Sequence, residues 1–393
     1  MTPPGLSLAR LLSARGVVQD PAWHRALLAV DRSAFVPDTV WVRSGADPGG
    51  YDLFTARPRT DPDVARWISE DYALMTQVDD GRPAGPGGSG IVPTSSISQP
   101  SLVVRMLEAL DARDGDTVLE VGTGTGYNTA LLCERFGDQS VTSIEVDPAV
   151  AEDARTRLHA AGYKPRLLVG EGADPPPGPY DHVLATVAAR RVPPAWVAQT
   201  RSGGTIVTPW GPGFTSAALL RLEASEKAAR GRMVGDAAFM WLRDQRQQVR
   251  PWREFVNEND PEAVTEFRAL NPRVVADRSP GWGVVLGWLV PDLAYTAFEA
   301  AEDNVEAAGE ATVYVYDRAG SWALAEYEPG GGPYETRRGG VRDLWGEITR
   351  ARQVWCETGR PGRDRLGVTV GADGGHTLWV DRPEQAIAAR PGP

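Results

Sequence analysis

Lysine is almost missing from this chain. Of 41 basic residues, only Lys164 and Lys227 are not arginine, and 52 acidic residues leave a net charge of −11. No Lys/Arg cluster offsets that balance, so a nucleic-acid partner, which calls for a basic face, is not expected. Cysteine is nearly as scarce. Cys133 and Cys356 stand far apart, which excludes a disulfide framework and thiolate metal-ligand spacing. His24, His159, His182 and His376 are scattered, so no histidine metal site is expected. Long apolar runs are absent too. The opening MTPPGLSLARLLSARG lacks the apolar centre of a signal peptide, and no stretch approaches the roughly 18 apolar residues of a membrane span. The expectation is a soluble, cytoplasmic protein without metal, membrane or nucleic-acid partner. Its 393 residues are enough for two domains or three.

Two short helices are predicted over 6–15 and 21–30, divided by Gly16 and Pro21, and Asp31–Pro37 reads as an extended link. Gly, Pro and Asp dominate 45–60 and 79–93, which read as loops, the second running straight into a serine-rich segment. Strand and helix patterns then alternate. Helices are predicted at 101–110, 130–136, 148–161 and 194–200, and strands at 117–121, 140–146, 166–169, 182–185 and 204–208. Such alternation implies a parallel sheet covered by helices on both faces, here closed by an antiparallel pair at 217–222 and 232–241. Near Arg250 the character changes. The rest carries seven of the thirteen tryptophans. Hairpins are predicted around Asp317-Arg318-Ala319-Gly320 and Ala372-Asp373-Gly374-Gly375, with an amphipathic helix over 341–357 between them. The expected division is residues 1–250 and a separate α+β module at 251–393. The tryptophans read first as that module's own core, and second as a grip on a peptide.

The chemistry concentrates in Thr117–Asn128, TVLEVGTGTGYN. A buried strand runs into Gly122, Gly124 and Gly126, with Thr123 between them, and a helix begins beyond Tyr127 and Asn128. A strand, a glycine turn and a helix start form the nucleotide cradle of doubly wound α/β folds, because glycine admits a close ligand and the helix start offers free N–H groups. Glu145 lies 21 positions after Gly124 at the end of the next strand, where an acid can accept ribose hydroxyls. The third glycine comes one position earlier than in the dinucleotide pattern, and Tyr127 takes its place. Glu120 precedes the turn, unwelcome beside phosphates but suited to a cationic amine or sulfonium. The set fits S-adenosylmethionine better than NAD. Gly170-Glu171-Gly172 follows a later strand, where Glu171 is placed to meet an adenine amine. Upstream, Ser95, Ser96 and Ser98 precede a helix starting near Pro100. Capping of that helix is one reading of Ser98. No His or Asp stands arranged to make a nucleophilic serine.

Taken together, Ser95–Pro100, Val118–Asn128, Ser143–Glu145, Val169–Gly172, Tyr180–Pro193 and Ser202–Pro212 resemble the protein-L-isoaspartate O-methyltransferase family, in that family's order. His24–Pro37, HRALLAVDRSAFVP, is similar to its N-terminal signature, so the resemblance covers about residues 20–245. It implies a class I S-adenosylmethionine-dependent methyltransferase fold with a Rossmann-like sheet. It also implies methyl transfer to the side-chain-derived carboxylate of aspartate or isoaspartate in a peptide or protein. It assigns the active-site role to Ser98, sets Ser95, Ser96 and Gln99 beside the substrate, and gives the cofactor to Glu120, Gly122, Thr123, Gly124, Gly126, Tyr127, Asn128, Glu145, Gly170, Glu171 and Gly172. Three departures fall where peptide would lie: a Gly/Pro-lengthened loop before Ser98, Ser101 where the family often has His, and Val187–Arg190 in place of an A-A-A-P stretch. With the added C-terminal module, these make the chain look like the methyltransferases of ribosomally made, modified peptides (lanthipeptide or graspetide type). The implied substrate there is an ordinary Asp in a constrained precursor, its ester closing to a succinimide. General isoaspartate repair, small-molecule or nucleic-acid methylation on the same fold, and cofactor binding without turnover are the rival expectations.

Overall fold

The computed structural model describes residues 5–46, 51–214, 217–248, 250–300 and 309–388. It divides into two compact units, one of residues 1–210, 218–247 and 368–376, the other of 211–217, 248–367 and 377–393.

The first unit begins with helices α1 (Leu6–Ala14) and α2 (Pro21–Ala29), as their periodicity predicts. Asp20 caps α2 by accepting from the Ala22 N–H at 2.7 Å, Pro21 fills its first position, and Trp23, Ala26 and Leu27 are buried. The expected extended link at 31–37 is instead a single 3-10 turn, Arg32–Phe35, because Asp31 accepts from the Ser33 N–H and winds the chain. The expected loop at 45–60 is corrected more strongly. Strands β1 (Thr39–Ala46) and β2 (Asp52–Pro58) pair antiparallel, Val40 opposite Arg57 and Val42 opposite Thr55; residues 47–50 lie outside the described residues. Their β-branched and aromatic residues won over a Gly/Pro/Asp-rich composition. Helix α3 (Pro62–Ile68) follows, then β3 (Leu74–Val78) and β4 (Pro93–Ile97), giving a sheet of order β2-β1-β3-β4. Strand β4 carries Ser95 and Ser96 and hands the chain to α4 (Pro100–Glu108) through Ser98 and Gln99.

The large sheet begins at β5 (Val118–Val121). Helix α5 (Tyr127–Phe136), β6 (Val141–Glu145), α6 (Pro148–Ala160), β7 (Arg166–Val169), β8 (Tyr180–Ala185), α7 (Pro194–Gln199) and β9 (Thr200–Trp210) follow in the alternation expected. Strand β5 lies parallel between β6 and β8, Val118 facing Val141 on one side and His182 on the other. Two antiparallel strands, β10 (Ala218–Ala224) and β11 (Ala228–Asp236), close the run, so the order is β11-β10-β9-β8-β5-β6-β7. The closing strand was expected at 232–241. It starts earlier because the Ser225 N–H donates to the Ala228 carbonyl at 2.7 Å and sets a tight hairpin. That frees Phe239–Arg243 from the sheet. The order reverses at β5, between β6 and β8, and ligands of open α/β sheets bind outside the strand ends at such a point.

The second unit contains an antiparallel sheet of β12 (Val264–Arg268), β13 (Ala294–Glu299), β14 (Ala311–Tyr316), β15 (Trp322–Tyr327) and β16 (Tyr334–Gly339), ordered β12-β16-β15-β14-β13. Ala311, Val313 and Val315 alternate inward, and the helix at Leu344–Glu357 buries Leu344, Ile348, Ala351 and Trp355, the face read from the sequence. Trp282, Trp322, Trp345, Trp355 and Trp379 are buried, so most of the C-terminal tryptophans are core. Residues 368–371, in the strand Leu366–Gly371, lie beside β11.

Candidate active site

The glycine turn opens at the C-terminal end of β5. Gly122, Gly124 and Gly126 all have positive φ, at 95°, 56° and 91°. The first two line a cavity; the third does not. A Cβ on Gly126 would lie 3.1 Å from Leu158 Cγ, so this glycine lets α5 approach α6. A Cβ on Gly124 would point at β4, 3.5 Å from the Ser96 carbonyl and 3.9 Å from Ser95 Oγ. The turn and the serine-rich strand therefore meet at van der Waals distance, and both line the cavity.

Glu145, at the end of β6, also lines it. Its Oε2 accepts from the Gly124 N–H at 3.0 Å and its Oε1 from the Asp147 N–H at 3.1 Å, which leaves acceptor capacity on both oxygens. Burial raises its pKa against those bonds. Thr123, Tyr127, Asn128, Glu171 and Gly172 complete the expected residues on the wall, with apolar surface from Val121, Ile144 and Val150. Acceptors at a strand end, a glycine turn and an apolar floor suit a ribose, a close-lying chain and an adenine. Gly170 stands back, where a Cβ would meet Ile144 Cδ1 at 3.3 Å.

Glu120 sits elsewhere than its expected contact with a cationic ligand. It is fully buried behind the wall, accepting from Asn128 Nδ2 and Ser143 Oγ at 2.6 Å each and from Thr129 Oγ1 at 2.5 Å. Ser143 Oγ in turn meets Thr123 Oγ1 at 2.6 Å. Strand alternation puts this carboxylate on the face of β5 that α5 covers, where Asn128 and Thr129 of α5 and Ser143 of the neighbouring β6 donate to it. It braces Thr123 and Asn128 from behind. Burial outweighs those donors and raises its pKa to about 7. The folded protein then binds more protons than the unfolded chain between the ordinary carboxylate value and about pH 7. This group's contribution to stability must fall as pH rises through that window. Glu120→Gln should remove that slope, so the urea stability of wild type relative to the variant declines by about 3 kcal/mol from pH 4.5 to 8. Parallel pH curves for the two proteins would exclude a displaced Glu120.

Ser98 lies where this cavity meets a second cleft. Ser96, Ser98, Phe239 and Met240 line both, and Gln99, Ser101, Leu102, Arg105 and Met75 line the second alone. The helix-capping reading of Ser98 does not hold. The α4 cap residue is Gln99, without a side-chain cap bond, and Asp71 serves the helix start by accepting from the Ser101 N–H at 2.8 Å. Asp71 also accepts from Gln99 Nε2 at 3.2 Å and pairs with Arg15 at 2.8 Å. Among the described residues Ser98 Oγ makes no hydrogen bond and points to no internal partner. Ser95 Oγ accepts from Thr76 Oγ1 at 3.1 Å.

The structure adds contributors to which the sequence assigns no role of their own. Arg32 is buried and donates to four backbone carbonyls, that of Ser98 among them. Asp80, in the Gly/Pro-rich segment, pairs with Arg243 at 3.1 Å and Arg246 at 2.6 Å; both arginines line the first cavity. Arg243 also reaches Asp147 at 3.5 Å, and Asp147 accepts from Gln77 Nε2 at 3.1 Å. The bond from Arg246 holds the Asp80 carboxyl below its ordinary pKa range. These pairs are partly exposed and individually weak, so Asp80→Asn should loosen S-adenosylhomocysteine only about two- to fivefold. Raising salt should produce the same loosening in wild type, read by calorimetry. An unchanged affinity in both experiments would exclude a contribution of the Asp80 ion pairs to cofactor binding.

No group of three or more His, Cys, Asp or Glu able to hold a metal occurs among the described residues, and no described helix is long and apolar enough to cross a membrane. A doubly wound sheet with a glycine turn after its central strand, an acid ending the next strand and an apolar floor defines a class I S-adenosylmethionine-dependent methyltransferase. Comparison with known proteins narrows the class. Residues 63–247 match the family model "Protein-L-isoaspartate(D-aspartate) O-methyltransferase (PCMT)". Proteins named protein-L-isoaspartate O-methyltransferase are similar. The one from Ignicoccus hospitalis is 42% identical over 36% of this chain and 66% of its own length. That from Anaeromyxobacter dehalogenans is 41% identical over 38% and 69%. That from Methanopyrus kandleri is 35% identical over 45% and 77%. A solved structure titled protein-L-isoaspartate O-methyltransferase shares the fold at a TM-score of 0.54 and 18% identity, covering 96% of this chain and all of its own. The chain belongs to the protein-L-isoaspartate O-methyltransferase family of S-adenosylmethionine-dependent carboxyl methyltransferases.

Proposed function

We propose that this enzyme methylates the side-chain-derived carboxylate of an aspartate or isoaspartate in a peptide, and that its dedicated substrate is a constrained precursor peptide of a modified natural product. The observation that carries the reading is the position of Ser98, on the wall shared by the cofactor cavity and the second cleft, with its hydroxyl unengaged. A carboxylate of ordinary pKa, about 4, is ionised at neutral pH and needs no general base. S-adenosylmethionine, when bound, supplies an electrophilic methyl group. Gly122, Gly124, Glu145 and Glu171 hold the cofactor on one wall, while the cleft beside Ser96 and Met240 receives the peptide. Ser98 donates its Oγ–H to one carboxylate oxygen and leaves the other free to be methylated, which fixes the angle of approach. Phe239 and Met240 exclude water from the junction and strip solvent from the carboxylate. The ester product is open to attack by the following backbone nitrogen, which expels methanol and closes a succinimide.

The preference for a precursor peptide rests on the Gly/Pro-lengthened segment before Ser98 and on Val187–Arg190, of which Pro93 lines the second cleft and Val187 the first cavity. The C-terminal region carries less weight than its sequence suggested, since a solved chain bearing the plain family name covers 96% of this one in fold. General isoaspartate repair remains the second reading, favoured by the names of the similar proteins. Incubation with S-adenosylmethionine and either an isoaspartyl peptide or a cyclised Asp-containing precursor separates the two. Methyl transfer to the precursor is expected; transfer only to the isoaspartyl peptide would leave repair as the function.

A further inference from the structure

Arg32 is 3% exposed, yet it makes no ion pair among the described residues. Burying an unpaired cation is costly, and chains retain one where its geometry is needed. Here the geometry is specific. Nη1 donates to the Ile68 carbonyl at 2.8 Å and the Trp67 carbonyl at 3.3 Å, and Nη2 to the Tyr72 carbonyl at 2.6 Å and the Ser98 carbonyl at 3.3 Å. Trp67 and Ile68 end α3, where carbonyls lack helical partners and a cation is favoured. Tyr72 leads into β3. The Ser98 carbonyl belongs to the turn between β4 and α4. One planar guanidinium thus fastens three chain segments, and only one of them carries a candidate catalytic group.

The same turn is held from its far side. Asp71 takes the Ser101 N–H and the Gln99 side chain. Ser98 is therefore anchored through its carbonyl by Arg32 and through the helix start by Asp71, while its hydroxyl stays unengaged. A hydroxyl that must aim at one oxygen of a carboxylate needs that immobile backbone, and displacement by about 1 Å can cost on the order of a hundredfold in rate. We infer that Arg32 is a positioning residue for methyl transfer, setting the orientation of the Ser98 hydroxyl through the Ser98 carbonyl. This rests on the reading of Ser98 as the substrate's hydrogen-bond donor.

Lysine has one ammonium on a flexible stem and cannot reproduce a fork that serves carbonyls on both sides. R32K should lower kcat by roughly ten- to a hundredfold, with KM for the peptide and calorimetric affinity for S-adenosylhomocysteine within about twofold of wild type. Amide exchange in residues 97–102 should rise while 118–128 keep their protection. The decisive comparison is the double variant: in an S98A background, R32K should cost little further, because the hydroxyl it positions is gone. R32Q serves as a second variant with a neutral planar head. Wild-type kcat in R32K, or losses that multiply in R32K/S98A, would overturn the inference. So would loss of cofactor binding in both R32K and R32Q, which would make Arg32 a residue of the fold alone. Failure of the underlying reading shows separately, as wild-type turnover in S98A itself.

Discussion

Gly124→Val should abolish cofactor binding while leaving a folded protein. The Gly124 φ of 56° lies in the left-handed region, where a β-branched residue costs about 1–2 kcal/mol. The large effect comes from direction. The new side chain would project from the glycine turn toward Ser95 and Ser96, where a Cβ already sits in van der Waals contact, so its two methyl groups would force the turn and β4 apart and deform the cavity that both line. Calorimetry with S-adenosylhomocysteine should show affinity reduced by roughly a hundredfold or more, with a small fall in melting temperature. Gly126→Ala makes the contrast. Its Cβ would press on Leu158 rather than enter the cavity, so it should lose stability and keep much of its affinity. If Gly124→Val binds cofactor normally, the wall facing β4 is not the cofactor wall.

Ser98→Ala should do the opposite, keeping cofactor affinity and losing turnover. A hydroxyl donating to a charged oxygen contributes roughly 1.5–3 kcal/mol, or about ten- to a hundredfold in kcat/KM. Because Ser98 Oγ makes no internal hydrogen bond, its removal should leave the melting temperature almost unchanged. That separates it from Asp71, whose loss would free the α4 start and cost stability as well. A Ser98→Ala enzyme that turns over at the wild-type rate would leave the carboxylate without its proposed donor.

How much of this was legible in the sequence depends on the range over which each feature is decided. The β5–glycine turn–α5 unit is local: period, glycine and helix start lie within a dozen residues, and the cradle follows. Glu145 is nearly as local, fixed by the end of the adjacent strand. The 45–60 segment was misread because its partner strand supplies what its composition lacks. The direction of Glu120 was misread because proximity to the turn suggested a ligand contact, while Ser143 and Thr129, not visible as partners, take the carboxylate inward. Arg32 and Asp80 act at separations of 66 residues to Ser98 and 166 to Arg246, for which sequence spacing carries no information.

The central claim is that a carboxylate of a peptide substrate receives the methyl group under the control of Ser98. It is tested most directly by mass spectrometry of isoaspartyl and cyclised Asp-containing peptides after incubation with S-adenosylmethionine and either wild type or S98A. The account predicts a gain of one methyl at the Asp or isoAsp position, lost as methanol in mild base, formed by wild type and strongly slowed in S98A. A base-stable methyl on nitrogen or carbon, or no methylated peptide from an enzyme that binds the cofactor, would contradict it.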